Sequence, residues 1–190
     1  TTTTRKRKTA SERLLGVLAG YEHILIVMHD NPDPDAIASA MAVRRLLWRK
    51  VPNVTISNIN TINRRDNLAM IRLLGVNLIP FADIEVDQFS RVVIVDSQPD
   101  HNEIMANLEV DVIIDHHPDA GFKAPFVDIR PHYGATSTIL TEYLRSAKIV
   151  PSAKLATGLY HGIKTDTNDF KGKTQIEDVR AFQYLFRYAN

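Results

Sequence analysis

Val110-Asp111-Val112-Ile113-Ile114-Asp115-His116-His117 joins an apolar run to an aspartate and two histidines, and its reading decides the fold. Three acid or imidazole groups at the exit of a buried strand are costly unless they bind something. The pattern recurs. Ile24-Leu25-Ile26-Val27-Met28 leads into His29-Asp30-Asn31-Pro32-Asp33-Pro34-Asp35, and Val92-Val93-Ile94-Val95 ends at Asp96. Such strands, apolar on consecutive residues, are covered on both faces, the habit of a parallel sheet under helices.

Working outward, residues 24–28, 91–95 and 110–114 read as strands, with Val54–Ile59, a short Asn77–Phe81 and Phe126–Ile129 added. Helices alternate with them at Ser11–Ala19 (capped by Ser11), 36–49, 66–74 (stopped at Gly75), 135–146, 152–164 and 176–188. Alternation of strands and helices predicts an α/β, doubly wound, mostly parallel sheet with helices on both faces. In such sheets ligands bind beyond the carboxyl ends of the strands. That rule puts His29, Asp96, Asp115 and His116 along one rim.

Composition excludes more than it assigns. The 190 residues hold 44% hydrophobic and 24% charged side chains with net charge +1, an ordinary globular balance that favours neither nucleic acid nor membrane. Residues 1–10 carry the basic run Arg5-Lys6-Arg7-Lys8 and read as a tail or linker, leaving 11–190 as the domain. With no cysteine there are no disulfides, thiolate metal sites or cysteine nucleophiles, and a cytoplasmic setting is expected. No apolar run approaches the ~18 residues of a membrane span.

The donors on the rim are imidazole and carboxylate, which suit manganese, magnesium, iron or zinc. His29, Asp33 and Asp35 are spaced by four and two. In a loop held by Pro32 and Pro34, residues two apart can aim at two neighbouring metals, and a carboxylate such as Asp96 can bridge them. Two ions roughly 3.5–4 Å apart suit phosphoester hydrolysis, activating water and neutralising the attacked and leaving oxygens. Each residue has a plainer reading. Asp35 can cap the following helix, Asp96 can open a turn with Ser97 and Pro99, His116 and His117 can be structural, and Asp166 can end a helix. All these plain readings would have to hold together.

The motifs resemble the DHH family of phosphoesterases, named for the run seen here as Asp115-His116-His117. Its other motifs appear as His29 to Ser39, Val95-Asp96-Ser97, Gly134-Ala135-Thr136-Ser137 and Gly162-Ile163-Lys164-Thr165-Asp166-Thr167. The likeness covers roughly residues 12–188. It implies two divalent ions, manganese first and magnesium second. His29, Asp33 and Asp96 would hold one; Asp35, Asp96, His116 and Asp166 the other. It also implies that His117 faces the phosphate and that Asp115 supports His116 or nearby backbone. Gly134, Thr136 and Ser137 are candidates for phosphate binding at a helix N-terminus.

Two departures stand out. Asn168 and Asp169 occupy positions where the family more often has glycine, which could narrow the site. Most members also carry a C-terminal domain that closes over the cleft, and a catalytic core without that lid is expected here. His132 is a further candidate beside Gly134, whereas His23, His101 and His161 read as surface or structural. Arg64 and Arg65 read as a solvated helix start that could reach a phosphate. The expected function is a manganese-dependent phosphoesterase acting on small phosphorylated nucleotides or short oligonucleotides. A non-catalytic nucleotide- or metal-binding module and an inorganic pyrophosphatase are the alternatives. A homodimer and adjoining domains upstream and downstream are compatible with this reading.

Overall fold

The structure, a computed structural model, describes residues 6–190. Of the basic run, Lys6, Arg7 and Lys8 are exposed, and Arg5 with the four threonines lies outside the described residues. Six strands form one sheet: β1 (His23–Met28), β2 (Asn53–Asn58), β3 (Leu78–Pro80), β4 (Arg91–Val95), β5 (Val112–Asp115) and β6 (Phe126–Ile129). Their order is β3-β2-β1-β4-β5-β6 and every pairing is parallel. The chain winds outward from β1 to β3, returns to β4, and winds to β6. The switch point therefore lies between β1 and β4, where ligands gather in open α/β sheets.

The helices are α1 (Ala10–Leu18), α2 (Pro34–Leu47), α3 (Arg65–Leu74), α4 (Glu103–Ala106), α5 (Thr136–Ser146), α6 (Ala153–Asp166) and α7 (Ile176–Phe186). They are shared unequally between the faces. Ile24, Ile26, Met28, Val93, Val95, Val112 and Ile114 pack with α2, α5 and α6 in the larger core. Leu25, Val27, Val92 and Ile94 form a smaller core with Ile59 and Met105, edged by Phe81, Ile84 and Phe89. Short 3-10 turns at 81–83 and 86–88 lie along that thinner face, together with α4, which the sequence reading passed over. At four residues, α4 is too short to leave a 3.6-residue periodicity.

The boundaries need correction at several points. Thr9, not Ser11, caps α1, and its hydroxyl and the Glu12 carboxylate exchange backbone donors in a capping box. Asp33, not Asp35, caps α2, accepting from the Ala36 amide at 3.0 Å. Pro34 then takes the first helical position, where its missing N–H costs nothing. β5 begins at Val112, because Asp111 turns its carboxylate to the Val92 amide and the Arg91 guanidinium. Gly75 ends α3 in the left-handed conformation, as expected. Among the described residues no helix is long and apolar enough to cross a membrane.

Candidate metal centre

Register aligns the strand ends. Val27 pairs with Ile94 and Val95 with Ile114, so His29, Asp96, Asp115 and His116 follow three adjacent strands at one level. Asp33 and Asp35 arrive on the first turn of α2, and Asp166 on the last turn of α6. These two helices cross closely. A Cβ on Gly162 would stand 2.6 Å from Ser137 Oγ and 3.0 Å from Asp35 Cα, so only glycine lets α6 bring Asp166, one turn on, beside Asp35.

Three groups of donor atoms result, each drawn together within 4.8 Å: His29 with Asp33 and Asp96; Asp35 with Asp96, His116 and Asp166; and Asp96 with His116 and His117. Asp96 belongs to all three. It is buried, and its backbone sits in the left-handed region at φ 55°, a conformation that aspartate adopts at a cost of order 1 kcal/mol. His116 Nε2 lies 3.0 Å from Asp166 Oδ2, 3.5 Å from Asp96 Oδ1 and 3.7 Å from Asp35 Oδ2. It is nonetheless a buried atom without an aligned hydrogen bond.

Electrostatics describe the same deficit. Burial first, then neighbouring carboxylates, pushes Asp96 well above the usual carboxylate range and Asp35 up to about 7. Asp33 is raised too, by burial and then by Asp166. Burial alone would lower His116, but Asp166 and Asp35 outweigh it and raise the imidazole to about 9. His29 is lowered by burial. Among the described residues no arginine or lysine pairs with these four carboxylates. The donor set and the unpaired His116 nitrogen fit a hard divalent cation.

A family profile described as "DHH family, N-terminal domain" matches residues 23–163. The chain belongs to the DHH family. An uncharacterized protein of Methanocaldococcus jannaschii is 41% identical over 87% of this chain and 34% of its own length. A probable manganese-dependent inorganic pyrophosphatase of Deinococcus radiodurans is 30% identical, covering 80% of this chain and 49% of its own. A probable bifunctional oligoribonuclease and PAP phosphatase of Streptococcus mutans is 25% identical over 95% of this chain and 59% of its own. An exopolyphosphatase-related protein from Bacteroides fragilis shares the fold, with a TM-score of 0.70 at 17% identity, over 98% of this chain and 58% of that one. The chain thus spans between a third and three fifths of these proteins. The functionally named relatives are hydrolases of phosphate compounds.

Within the DHH run the three side chains diverge. Asp115 is fully buried and accepts from the His116 amide at 2.8 Å, from Gln98 Nε2 at 2.7 Å and from His117 Nδ1 at 2.7 Å. Burial would raise its carboxyl, but the hydrogen bonds from His117 and Gln98 prevail and hold it low. The bond to Asp115 raises His117, whose side chain is 42% exposed. With Nδ1 held by Asp115, the His117 Nε2 edge is left to the cleft. His116 turns Nδ1 to the Tyr133 carbonyl, 3.2 Å away, which leaves Nε2 to the carboxylates.

The Gly134–Ser137 segment is bonded to the chain's own carboxylates. The amides of Thr136 and Ser137 donate to Asp35 at 2.8 and 2.7 Å, the Thr136 hydroxyl to Asp96 at 2.9 Å, and the Gly134 amide to Asp178. These amides and the Thr136 hydroxyl are held by protein carboxylates, whereas the buried Ser137 Oγ has no hydrogen-bond partner among the described residues. A Cβ on Gly134 would also strike the Lys173 carbonyl at 2.6 Å.

Asn168 and Asp169 have φ of 49° and 55°, a region glycine adopts freely. Asn and Asp are the next most tolerant residues there. Asp169 is exposed and pairs with Lys164 at 3.6 Å, so it does not narrow the site. His132 is exposed and packs edge-on against Tyr133, apart from the donor groups. His101 is exposed and lies near the DHH run. It bonds Ser97 Oγ at 2.9 Å, and its ring stands 5.4 Å from that of His117. Arg64 and Arg65 are exposed at the start of α3.

Two residues of this machinery escaped the sequence reading. Gln98 braces Asp115 and accepts the Ala120 amide, and buried Asp178 ties the α7 start to Gly134 and Thr138. A signal for Asp178 was present: it stands three residues after Gln175, with which it forms a capping box.

Proposed function

We propose that the DHH domain hydrolyses phosphate esters of small nucleotides or short oligonucleotides, with two divalent ions, manganese by preference, at the Asp96 centre. The observation that carries this is the place of Asp96 in both the His29–Asp33 and the Asp35–His116–Asp166 groups, beside a buried imidazole nitrogen that lacks a partner. His29, Asp33 and Asp96 would hold one ion, and Asp35, Asp96, His116 and Asp166 the other. Bound divalent ions supply hydroxide from water near neutral pH and offset charge on the phosphoryl oxygens.

The chain's own residues do the rest. Asp115 fixes the ring of His117 and favours its protonated form, so its outward nitrogen donates to a phosphate oxygen or to the leaving oxygen. The α5 amides fix both oxygens of Asp35, and the Thr136 hydroxyl fixes one of Asp96, which holds these carboxylates in place before any ligand arrives. The likeness to the oligoribonuclease and phosphatase of S. mutans supports the nucleotide class, and that to the D. radiodurans pyrophosphatase supports pyrophosphate as the second substrate class.

The full-length protein with manganese should be offered short RNA, adenosine 3′,5′-bisphosphate, cyclic di-adenosine monophosphate and pyrophosphate, with Asp96→Ala as control. Manganese-dependent product from a nucleotide, absent in Asp96→Ala, is expected. No release from any of the four overturns the hydrolase reading, and release from pyrophosphate alone moves the protein to the second class.

A further inference from the structure

The rim does not stop at β1. Asn58, the last residue of β2, pairs in register with Met28, the residue before His29. Paired strands lie about 4.8 Å apart, so the chain beyond Asn58 leaves the sheet one strand spacing from His29. There a cavity of about 570 Å³ opens between the 59–62 loop, α3 and the edge strand β3. Ile62, Leu68 and Ile71 give it an apolar wall; Asn58, Asn60 and Asn77 bring carboxamides. Asn58 is buried and its Nδ2 donates to the Asn60 carbonyl, while no donor among the described residues reaches its Oδ1. The side chains of Asn60 and Asn77 form no hydrogen bond among the described residues. One wall is tied to the metal-facing loop, because Asn67 on α3 donates to the Pro32 carbonyl at 2.8 Å, next to Asp33.

This lining is the wrong chemistry for an inorganic anion. Phosphate gains nothing from isoleucine and leucine, and the cavity wall itself offers no cation. It is suitable chemistry for a flat heterocycle. Apolar walls cover the ring faces, and carboxamides match the paired donor and acceptor of a base edge, as asparagine does with adenine. We propose that this cavity receives the nucleobase adjoining the phosphate placed at the Asp96 centre, which makes Asn58, Asn77 and Leu68 determinants of specificity. This rests on the nucleotide-hydrolase reading above.

The test compares a 5′-phosphorylated diadenylate with the same compound lacking both bases, on full-length wild type and Leu68→Trp, whose indole fills the cavity. Leu68→Trp should raise KM for the diadenylate about tenfold, the loss of one or two good contacts, and leave kcat/KM for the baseless compound unchanged. An equal change on both compounds, or none on the diadenylate, overturns the proposal. Should Leu68→Trp not fold, Asn77→Ala enters the same comparison, with a smaller expected rise. Binding separates this inference from the hydrolase reading. Adenosine 5′-monophosphate titrated into metal-free, ¹⁵N-labelled protein should shift the Asn58, Asn60 and Asn77 carboxamide signals, and ribose 5-phosphate should not. That result upholds the cavity even if wild type hydrolyses neither compound, and equal shifts from both ligands, or none, overturn it.

Discussion

Two clusters of charge flank α5, and they are built in opposite ways. In the first, Arg130 lies between Asp128 and Glu142, with bonds of 2.9 and 2.8 Å to the former and 2.5 Å to the latter. Tyr133 donates to Glu142 at 2.8 Å, and Tyr143 donates to Asp128. Both carboxylates face a guanidinium and a phenol, so the network is complete within the chain. In the second, among the described residues, Asp33, Asp35, Asp96 and Asp166 meet two imidazoles and no guanidinium or ammonium, and the His116 Nε2 is left without an aligned bond. The first cluster is what acids look like when they serve the fold. The second has no such internal partner, and without a cation its buried acids and imidazole hold protons instead.

Breaking the second cluster should give the largest effect. Asp96→Ala removes the residue common to all three donor groups, and we expect manganese-dependent turnover to fall by roughly 10³ or more. The thermal stabilisation by manganese should vanish with it. Retained manganese stabilisation, seen in a thermal scan, would remove the contrast between the clusters.

Arg130→Ala tests the other side. It strands Asp128 and Glu142, and should cost roughly 2–3 kcal/mol in urea unfolding, reduced from the buried-pair value because the network is partly exposed. The loss should be the same with and without manganese. Gly162→Ala comes next, at about 1–3 kcal/mol for overpacking against Ser137 and Asp35. It should also weaken manganese binding in a calorimetric titration. Gly158→Ala, on the same helix but against the flexible end of Leu74, should leave that affinity within error.

The smallest effect is a pH dependence confined to the second cluster. Asp35 at about 7 and His116 at about 9 both lie above their unfolded values of about 3.9 and 6.5. The folded protein therefore holds these protons more tightly than the unfolded chain. The stability they lend is present at low pH and lost as pH rises through about 7 and then about 9. Metal-free protein should melt progressively lower between pH 5 and 9, by a few degrees. Manganese replaces those protons, so its stabilising shift should grow over the same interval. A shift that shrinks with rising pH would contradict the proposed ligands.

The central strands were legible because a strand buried on both faces must be apolar on consecutive residues. The rim residues were legible because each follows such a run directly. Finer placement was not. Thr9 and Ser11, or Asp33 and Asp35, are equivalent as capping residue types, and only the backbone angle of one member of each pair decides between them. Gly134, Thr136 and Ser137 resembled an anion site because a helix N-terminus offers the same amides to a ligand or to a protein carboxylate. In the fold the Thr136 and Ser137 amides meet Asp35, 101 residues away from Thr136, and the Gly134 amide meets Asp178.

By itself the sequence determined the parallel α/β class, the strand ends that carry the acids and imidazoles, and the likeness to the DHH family, since each depends on residue type and local order. Tertiary structure alone decided that Asp96 sits in a left-handed backbone at the meeting point of every donor group. It also decided that α5 supports Asp35 and Asp96, and that a carboxamide-edged cavity opens at the end of β2, the strand paired with β1. These depend on how far apart chain segments approach in space, and no local pattern encodes a distance between β1, α5 and α6.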